Sequence, residues 1–524
     1  MLSSEPALAE STSAKPSEEM TALAAETLRR ATRFFRNEVA VQGSYLWRYS
    51  EDLEERRGEG RASATQGWAQ PPGTPAIGMA FLRAYGATGD RLHLDGAIEA
   101  AHALAATQLQ SGGWYYSIEF DPDERESWCY RMPPSGCHDR SNRNRNNSTV
   151  DDNTSQSALR LLMLVDRILD GEDPVINEAV TYGLARFMEA QYPNGAWAVG
   201  SRHRVPDDAA PEVGPARYPA SWPRTYEELS KPFYPTNDHV MRDMIRTFLL
   251  AYRLYGRDDY KTTALRGGQF LLDAQMPAPQ SGWAQTYNAA MEPVWGRKFE
   301  PPGVVSWETV GVIEVLLDLY LYTGDQRYLD SATAGIDWLD RSRLPGGDWA
   351  RFYEMRTNRP LYMTRDYRLT YDGDDPPRHY RFRGTFEVDR VRQIHRDIVA
   401  KGRDLYLAGL SGAGETRPAR TNEHREVAAI IDRLDAKGRW LSDGRIDSKT
   451  FIRNYETLSD YIASRRSPAE AERQTRQLAA IADPMGFQMH AEVFSLPSPS
   501  DASGAMMKPA RAAPSGGEVR DNNG

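Results

Sequence analysis

The chain repeats one unit four times, and this repetition constrains its fold more than any other feature. Each unit is predicted to be a helix, a short turn, a second helix and a glycine-containing turn that leads to a tryptophan. Apolar residues in the helices recur three and four positions apart and therefore share one face. The predicted helix pairs are 76–88 with 92–108, 155–169 with 175–191, 239–256 with 260–275, and 307–323 with 326–340, and their tryptophans are Trp114, Trp197, Trp283 and Trp349.

These helix pairs cannot bury their own apolar faces, so they must stack on one another. Short connections such as Gly89-Asp90 and Gly324-Asp325 end the first helix of a pair and return the chain in the opposite direction. Because the loops between pairs are long and unequal, a closed toroid is favoured over a regular solenoid. We therefore predict a mainly α fold, an α/α toroid built from repeated antiparallel helix pairs.

The antiparallel arrangement also predicts where a functional site forms. The start of each first helix and the end of each second helix must lie at the same rim of the toroid. Polar segments before the first helices and after the last tryptophan should therefore face one another there. Each turn tryptophan is open to two interpretations, packing between neighbouring pairs or contact with a ligand.

The segments outside the repeats divide the chain. Residues 1–19 are rich in Ser, Ala, Glu and Pro and are predicted to be disordered. The toroid is assigned to residues 20–385, beginning with a helix at Thr21–Glu38. A helical extension follows at 386–496, with helices predicted at 388–407, 422–436, 450–464 and 468–481. The tail at 497–524 is rich in Ser, Pro, Ala and Gly and is predicted to be disordered.

Composition narrows the classes of ligand. Twelve Trp and 26 Tyr favour a ligand that stacks on aromatic rings, such as a carbohydrate. A net charge of −9 leaves no excess of basic residues for nucleic acid. We expect no membrane span, because there is no run of about 18 apolar residues. The amino-terminal residues do not resemble a signal peptide. The two cysteines, Cys129 and Cys137, match no zinc signature and do not define a redox compartment.

Acidic and basic residues gather in the segments predicted to reach the shared rim. Asp151 and Asp238 precede the second and third pairs, and Arg297 and Glu308 lie before and in the first turn of the fourth. An Asp before a helix is commonly an N-cap, and both aspartates are open to that interpretation. Their convergence favours a site instead. Carboxylate oxygens suit Ca²⁺, and no His/Cys cluster indicates a transition metal.

The stretch 348–360, just after the last repeat, is the most unusual in composition. It places three arginines among aromatic rings and carboxylates without a hydrophobic period. Rigid cations among flat rings suit an anionic ligand with apolar faces, such as a uronic acid. Trp349, Tyr353 and Arg359 are therefore predicted to contact substrate. Structural ion pairing is the alternative for Arg359 and also for Arg356.

An ordered set of these motifs resembles the pectate lyases of polysaccharide lyase family 10. The set covers about residues 65 to 375, and residues after about 385 are not explained by it. The matching segments are Thr149–Thr154, Asn237-Asp238, Arg297–Glu300, Trp307–Val312 and Trp349–Glu354, followed by Thr357–Pro360 and Arg365-Asp366.

The resemblance implies an (α/α)3-like barrel and Ca²⁺-assisted β-elimination of polygalacturonate or a related polyuronate. It implies that Arg351 is the base that removes the proton at C5 of the uronate and that Arg297 binds the substrate carboxylate. It assigns Asp151 and Asp238 to the calcium and substrate region. It further implies a monomer that is secreted or periplasmic and uses an acidic polysaccharide as its partner.

An arginine base raises a physical difficulty, because it must be neutral to accept a proton. Four pH units below a pKa of about 12.5, the neutral form costs roughly 5.5 kcal/mol. We therefore expect the surroundings of Arg351 to disfavour its guanidinium, and we expect an alkaline optimum.

Two other functions are considered. An α/α-toroid glycoside hydrolase would use paired carboxylates, with Asp151, Asp238 and Glu308 as candidates. A non-catalytic carbohydrate-binding or scaffold protein is the second alternative. The loop 119–147 has no counterpart in the family, and it is either a surface insertion or a segment that narrows the cleft before Asp151.

Overall fold

The computed structural model describes residues 14–132, 145–201, 214–228, 233–411 and 423–465. Fourteen α-helices are found in these ranges: α1 Ala14–Phe34, α2 Thr74–Thr88, α3 Arg91–Ala106, α4 Pro122–Arg125, α5 Thr154–Ile168, α6 Pro174–Glu189, α7 Val240–Tyr255, α8 Asp258–Asp273, α9 Ser306–Thr323, α10 Gln326–Arg341, α11 Val388–Lys401, α12 Arg403–Ser411, α13 Glu423–Asp432 and α14 Ser448–Ala463.

Short antiparallel strands connect the helices. They are β1 Arg48–Ser50, β2 Arg56–Arg57, β3 Gln66–Trp68, β4 Ser117–Glu119, β5 Ser148–Thr149, β6 Gly200–Ser201, β7 Phe233–Pro235, β8 Thr286–Asn288, β9 Val304–Val305, β10 Trp349–Ala350, β11 Phe352–Tyr353, β12 Pro360–Met363, β13 Leu369–Thr370, β14 Arg383–Gly384, β15 Leu441–Ser442 and β16 Arg445–Asp447.

The four predicted helix pairs are present as α2/α3, α5/α6, α7/α8 and α9/α10. The first helices of the pairs pack side by side in the order α2, α5, α7 and α9, and we call them the inner helices. Helix α14 packs beside α2, and α11 packs beside α9, so the same arc continues at both ends. The predicted α/α toroid is confirmed, and α11 and α14, from the predicted extension at 386–496, pack against its inner helices.

The predicted shared rim is built by strand pairing. The strand that precedes an inner helix pairs with the strand that follows the turn tryptophan of the same helix pair. Thus β3 pairs with β4, β5 with β6, β7 with β8, and β9 with β11. Each pairing ties the start of an inner helix to the end of its partner helix, and the loops that hold the candidate residues therefore meet on one side of the molecule.

The turn tryptophans are structural. Trp114, Trp197, Trp283 and Trp349 are at most 1% exposed, and each indole N–H donates to a backbone carbonyl near the end of the preceding helix at 2.7 to 2.8 Å. Trp440 makes the same bond to Ile430 at the end of α13, at 2.9 Å. The repeat unit therefore recurs in the carboxy-terminal helices, where the sequence resemblance ends.

The prediction that Trp349 and Tyr353 contact substrate is corrected by this arrangement. Trp349 fills the space between helices, and Tyr353 is 1% exposed. The Tyr353 hydroxyl donates to the Ser342 carbonyl and accepts from the Ala350 amide. Tyr287, which follows Trp283 at the same spacing, makes the equivalent two bonds. Trp349 and Tyr353 therefore belong to the repeated turn.

The two ends of the described chain pack together. Helix α1 contacts α14, and β1, which follows α1, pairs with β16, which precedes α14. One hydrophobic core runs from Ala24 in α1 to Ile462 in α14. Helix α1 begins at Ala14 rather than Thr21, so it includes part of the segment predicted to be disordered. Residues 1–13, the predicted helix at 468–481 and the tail from residue 497 lie outside the described residues.

Candidate active site

Three carboxylates converge where the inner helices α5 and α7 begin. Asp151, Asp152 and Asp238 each place a carboxylate oxygen within 4.8 Å of the others. Asp152 and Asp238 occupy equivalent positions in the two repeats, and both have left-handed backbone, with φ of 47° and 48°. Asn153 and His239, the residues that follow them, are also left-handed. Consecutive non-glycine residues in this conformation are strained, and such strain concentrates at functional sites.

These aspartates are not helix caps. The first turns of α5 and α7 have no side-chain cap, whereas Asp90, Asp173 and Asp325 do cap α3, α6 and α10. Capping by aspartate therefore occurs at the second helices of the pairs, which we call the outer helices. At the inner helices the carboxylates are left to face the rim.

Two side chains from the first repeat orient this cluster. The Tyr116 hydroxyl donates to Asp151 Oδ2 at 2.7 Å, and the Gln70 amide donates to Asp152 Oδ2 at 2.8 Å. Asp152 is exposed to solvent, yet surrounding protein reduces its hydration and raises the pKa of its carboxyl well above the ordinary value. The negative charges of Asp151 and Asp238 raise that pKa further. An oxygen-only cluster that repels itself in this way fits a hard cation such as Ca²⁺.

Arg351 lies beside this cluster and is 7% exposed. Its Nη2 is 3.4 Å from Glu308 Oε1 and 3.9 Å from Asp238 Oδ1. The guanidinium also stacks on Tyr380, with its carbon 4.4 Å from the ring centre. These contacts join the start of α7, the first turn of α9 and the stretch after Trp349, as the sequence predicted for the rim.

The expectation that the surroundings of Arg351 disfavour its guanidinium is corrected. Burial alone lowers the pKa of Arg351, but the negative charges of Tyr380, when ionised, and of Glu308 and Asp238 outweigh burial and raise it. Tyr380 is itself neutral at pH 7, since burial raises its pKa. The carboxylates of Asp238 and Glu300, and of Glu308 once it is ionised, are therefore the charges that favour the protonated form of Arg351.

Glu308 and His239 lie buried behind Arg351. Burial raises the pKa of Glu308 to about 8, although the nearby Arg351 opposes this shift. Burial also keeps the pKa of His239 well below its ordinary value. His239 Nδ1 and Glu308 Oε2 are 4.0 Å apart. A side chain on Gly311 would collide with this histidine ring, its Cβ only 2.0 Å from Nδ1.

Several buried polar atoms around Arg351 have no hydrogen-bond partner among the described residues. They are Arg351 Nε, Glu308 Oε2, His239 Nδ1 and Gln285 Oε1. Buried polar atoms without partners are rare in folded proteins, and a group of them favours a site that binds water or a ligand.

Arg297, assigned to the substrate carboxylate, lies at the edge of the same site. It forms a close ion pair with Glu300, and its side chain is 45% exposed. Glu300 is buried and also accepts a hydrogen bond from the Tyr380 hydroxyl at 3.0 Å. Burial lowers the pKa of Arg297, but Glu300 outweighs that effect and raises it, so the cation is permanent.

Arg359 does not join this group in the structure. It is exposed and stacks on Tyr371, with its guanidinium carbon 3.6 Å from the ring centre. The Tyr371 hydroxyl donates to Glu354, which also pairs with Arg224 at 2.6 Å. Substrate contact by Arg359 therefore stays a prediction, and among the described contacts it belongs to a separate surface cluster.

The described part of the loop 119–147 packs near the site through aromatic rings. Trp128 and Tyr130 form a small second core with Leu109. Tyr115 packs against that core and lies 5.1 Å, ring to ring, from Tyr116, whose hydroxyl binds Asp151. Cys129 is buried in this segment, whereas residues 133–144, including Cys137, lie outside the described residues.

Sequence reasoning missed several residues of the site: Gln70, Tyr116, Asp152 and Gln285. A signal for three of them was present in the repeat. Tyr116, Gln285 and Arg351 each stand two positions after a turn tryptophan, so superposing the repeats places them at equivalent positions. Aligning residues 149–154 with 235–240 likewise equates Asp152, rather than Asp151, with Asp238.

No family model matches the sequence, and no curated protein matches it. Among solved structures, a family 10 polysaccharide lyase from Cellvibrio cellulosa is similar over 62% of this chain and 97% of its own, with a TM-score of 0.42 and 17% identity. A D-mannose isomerase matches over 87% and 99% of the two chains (TM-score 0.41, 12% identity), and a GH76 α-mannanase from Bacteroides thetaiotaomicron over 87% and 97% (0.39, 11%). At TM-scores below 0.5 these similarities assign no activity to this chain. Across the described residues, no helix is both long and apolar enough to cross a membrane.

Proposed function

We propose that this protein is a lyase that cleaves polygalacturonate or a related polyuronate by β-elimination, with Arg351 as the base. The observation that supports it best is the position of a buried arginine beside a cluster of three carboxylates. A catalytically silent binding protein would have no need to bury a cation beside polar atoms that lack hydrogen-bond partners within the described part of the chain. The sequence resemblance to family 10 lyases supports the same reaction.

The reaction breaks two bonds of one uronate and forms one double bond. Arg351 in its neutral form takes the proton from C5, the C4–O4 bond breaks as the C4–C5 double bond forms, and O4 leaves with the departing chain and gains a proton. The carboxylate at C5 acidifies this proton, and a cation that binds the carboxylate acidifies it more. Arg297, which is exposed and permanently charged, is suited to that role.

Calcium is proposed as the cofactor, held by Asp151, Asp152 and Asp238. When bound, Ca²⁺ would supply positive charge to the substrate carboxylate. These residues also bear on the difficulty of an arginine base, because Asp238 is one of the carboxylates that favour the protonated guanidinium. Engaging Asp238 with a cation weakens that effect, so neutral Arg351 becomes less costly.

A hydrolase is the second candidate, and one observation favours it. Asp152 has a raised pKa beside two other carboxylates, and a protonated acid next to an ionised carboxylate is the pair that glycoside hydrolysis needs. Product analysis separates the two reactions. A lyase yields an unsaturated uronate that absorbs in the ultraviolet, and a chelator should stop its formation. A hydrolase yields new reducing ends without that absorbance.

The proposed substrate is chosen to complement an exposed cation and the aromatic rings near the site. An exposed arginine and aromatic rings suit an acidic sugar polymer, and such a polymer requires that the enzyme act where the polymer is accessible. We therefore propose a secreted or periplasmic location. The proposal that the protein acts as a monomer comes from the family resemblance.

A further inference from the structure

One aromatic residue near the candidate site occupies a backbone position that glycine fills at lowest cost. Tyr367 lies in the turn between β12 and β13, and its φ is 61°. The Tyr367 amide donates to the Thr364 carbonyl, and the Thr364 amide donates to the Arg368 carbonyl, each at 2.9 Å. This is a three-residue hairpin loop whose last residue is left-handed, a position that usually holds glycine. A bulky side chain there is a genuine outlier.

The tyrosine ring is only partly packed against its neighbours. The residue is 41% exposed, so its ring gains only part of the benefit of burial. It touches Phe299 at 5.8 Å and His379 at 6.1 Å, ring centre to ring centre. Backbone strain combined with an exposed ring favours a functional role over a structural one.

Tyr367 is connected to the candidate active site by a short series of rings. Phe299 lies 4.8 Å from Tyr380, and Tyr380 is the ring on which Arg351 stacks. The Arg297 guanidinium lies over Phe299 at 5.0 Å. Tyr367 is therefore linked through Phe299 to Tyr380, the ring on which the proposed base stacks, and Phe299 also contacts Arg297.

We propose that Tyr367 is the stacking platform of a remote subsite that binds a further uronate residue of the polymer. The inference rests on the proposed function, which supplies the chain that would extend from Arg351. An aromatic ring offers an apolar face to the C–H face of a sugar. Arg297 and the exposed Arg378, next to His379, provide positive charge for the sugar carboxylates.

The test compares Tyr367→Gly and Tyr367→Phe with the wild type. Glycine relieves the strained backbone, so the Tyr367→Gly protein should melt at or above the wild-type temperature. Its KM for polygalacturonate should nevertheless rise about fivefold, and the loss should grow with chain length from trimer to polymer. Phenylalanine keeps the ring, and its KM should stay within about twofold of wild type.

Asp443→Gly is the matched control, because Asp443 is an exposed, left-handed turn residue between β15 and β16. It should also keep its melting temperature, with no change in KM. An active wild type whose KM is unaltered by Tyr367→Gly would overturn the subsite. Retardation of the protein in gels containing polygalacturonate gives a readout that does not need cleavage. If the wild type binds but does not cleave, the proposed reaction fails; loss of retardation in Tyr367→Gly would still support the subsite, and equal retardation would refute it.

Discussion

At the residue scale, the site depends on which aspartates meet and what holds them. Asp151, Asp152 and Asp238 crowd together, although Tyr116 and Gln70 donate to two of them. Like charges this close repel, and at an effective dielectric constant of about 20 two unit charges 4.8 Å apart cost roughly 3.5 kcal/mol before screening by solvent. A bound divalent cation would offset this repulsion, and the repulsion in the free protein therefore favours binding of the cation.

Substitution of Asp152 by Asn should therefore have two effects of opposite sign. Without calcium, at a pH high enough to ionise Asp152, the variant should be more stable than wild type by on the order of 1 kcal/mol, because one repelling charge is gone and solvent screens much of the repulsion at this exposed carboxylate. With calcium the wild type should gain about 2.7 kcal/mol at a hundredfold excess over Kd, and the variant much less. Thermal melts with calcium and with chelator measure both effects. Asp443→Asn, far along the chain in another turn, controls for non-specific ion effects, and a wild type that does not respond to calcium would contradict the proposed metal site.

The residue scale is also where the sequence was least informative. The motifs indicated Arg351, Arg297 and Asp238, and the structure brings all three around Glu308 and Glu300. The motifs could not show that Trp349 and Tyr353 face the core, since an aromatic residue beside arginines fits either role. The charges around Arg351 were also beyond sequence reasoning, because they depend on distances between segments that are far apart in the chain. The alkaline optimum expected for an arginine base stays a prediction.

At the element scale, the repeated turn explains both the fold and the correction of the tryptophan prediction. Gln108, Gln191 and Gln275 each donate to a carbonyl of the following turn and to a carbonyl of the next outer helix. The tryptophan that follows then seals the turn. The helix pairs were predictable because their apolar period is long and regular. The short strands were not, because two-residue strands contain too little pattern to recognise.

Replacing Trp349 by Phe should reduce stability without changing substrate affinity. The indole N–H bond to the Leu339 carbonyl is lost, although the Ser342 amide still donates to that carbonyl at 3.1 Å, and a hydrogen bond of this kind contributes about 0.5–1.5 kcal/mol. Trp283→Phe removes the equivalent bond to Leu271 and should cost a similar amount. Denaturant unfolding measures the loss, and KM measures affinity. A KM that rises severalfold in Trp349→Phe alone would restore the substrate contact that the sequence suggested.

At the scale of the whole molecule, the toroid includes helices from both ends of the described chain. His93 in α3 sits where α1 and α14 meet, with its Nδ1 2.9 Å from the Thr32 hydroxyl and 2.7 Å from the Tyr455 hydroxyl. The division of the chain at residue 385 stays a prediction from the family resemblance. The sequence could not reveal the packing of α1 on α14, because more than 400 residues separate hydrogen-bonded partners such as Thr32 and Tyr455.

His93 should make this junction sensitive to acid. Burial lowers the pKa of His93 to about 4 in the folded protein, from an ordinary value of about 6.5. Between these two values the unfolded chain binds a proton that the folded protein does not. Stability is therefore complete above about pH 6.5 and falls by up to about 1.4 kcal/mol per pH unit as the pH decreases toward 4.

His93→Asn removes the titrating group while keeping a polar side chain near both hydroxyls. The variant should be less stable than wild type at neutral pH, but its melting temperature should decline less between about pH 6.5 and about pH 4. Scanning calorimetry across this range measures the difference. Parallel declines in the two proteins would show that His93 does not contribute to the acid response.

Removal of a proton from the uronate by Arg351 can be tested with a single assay. Initial rates of unsaturated product on polygalacturonate, followed by ultraviolet absorbance with calcium present, would be compared for wild type, Arg351→Lys and Arg343→Lys. Arg343 is an exposed arginine that stacks on the same turn at Trp349, so it controls for the change of residue type. For Arg351→Lys alone we expect the rate of product formation to fall at least about a hundredfold, through a lower kcat and not a higher KM. A wild type that releases reducing ends without absorbance, or an Arg351→Lys protein with the wild-type rate, would contradict it.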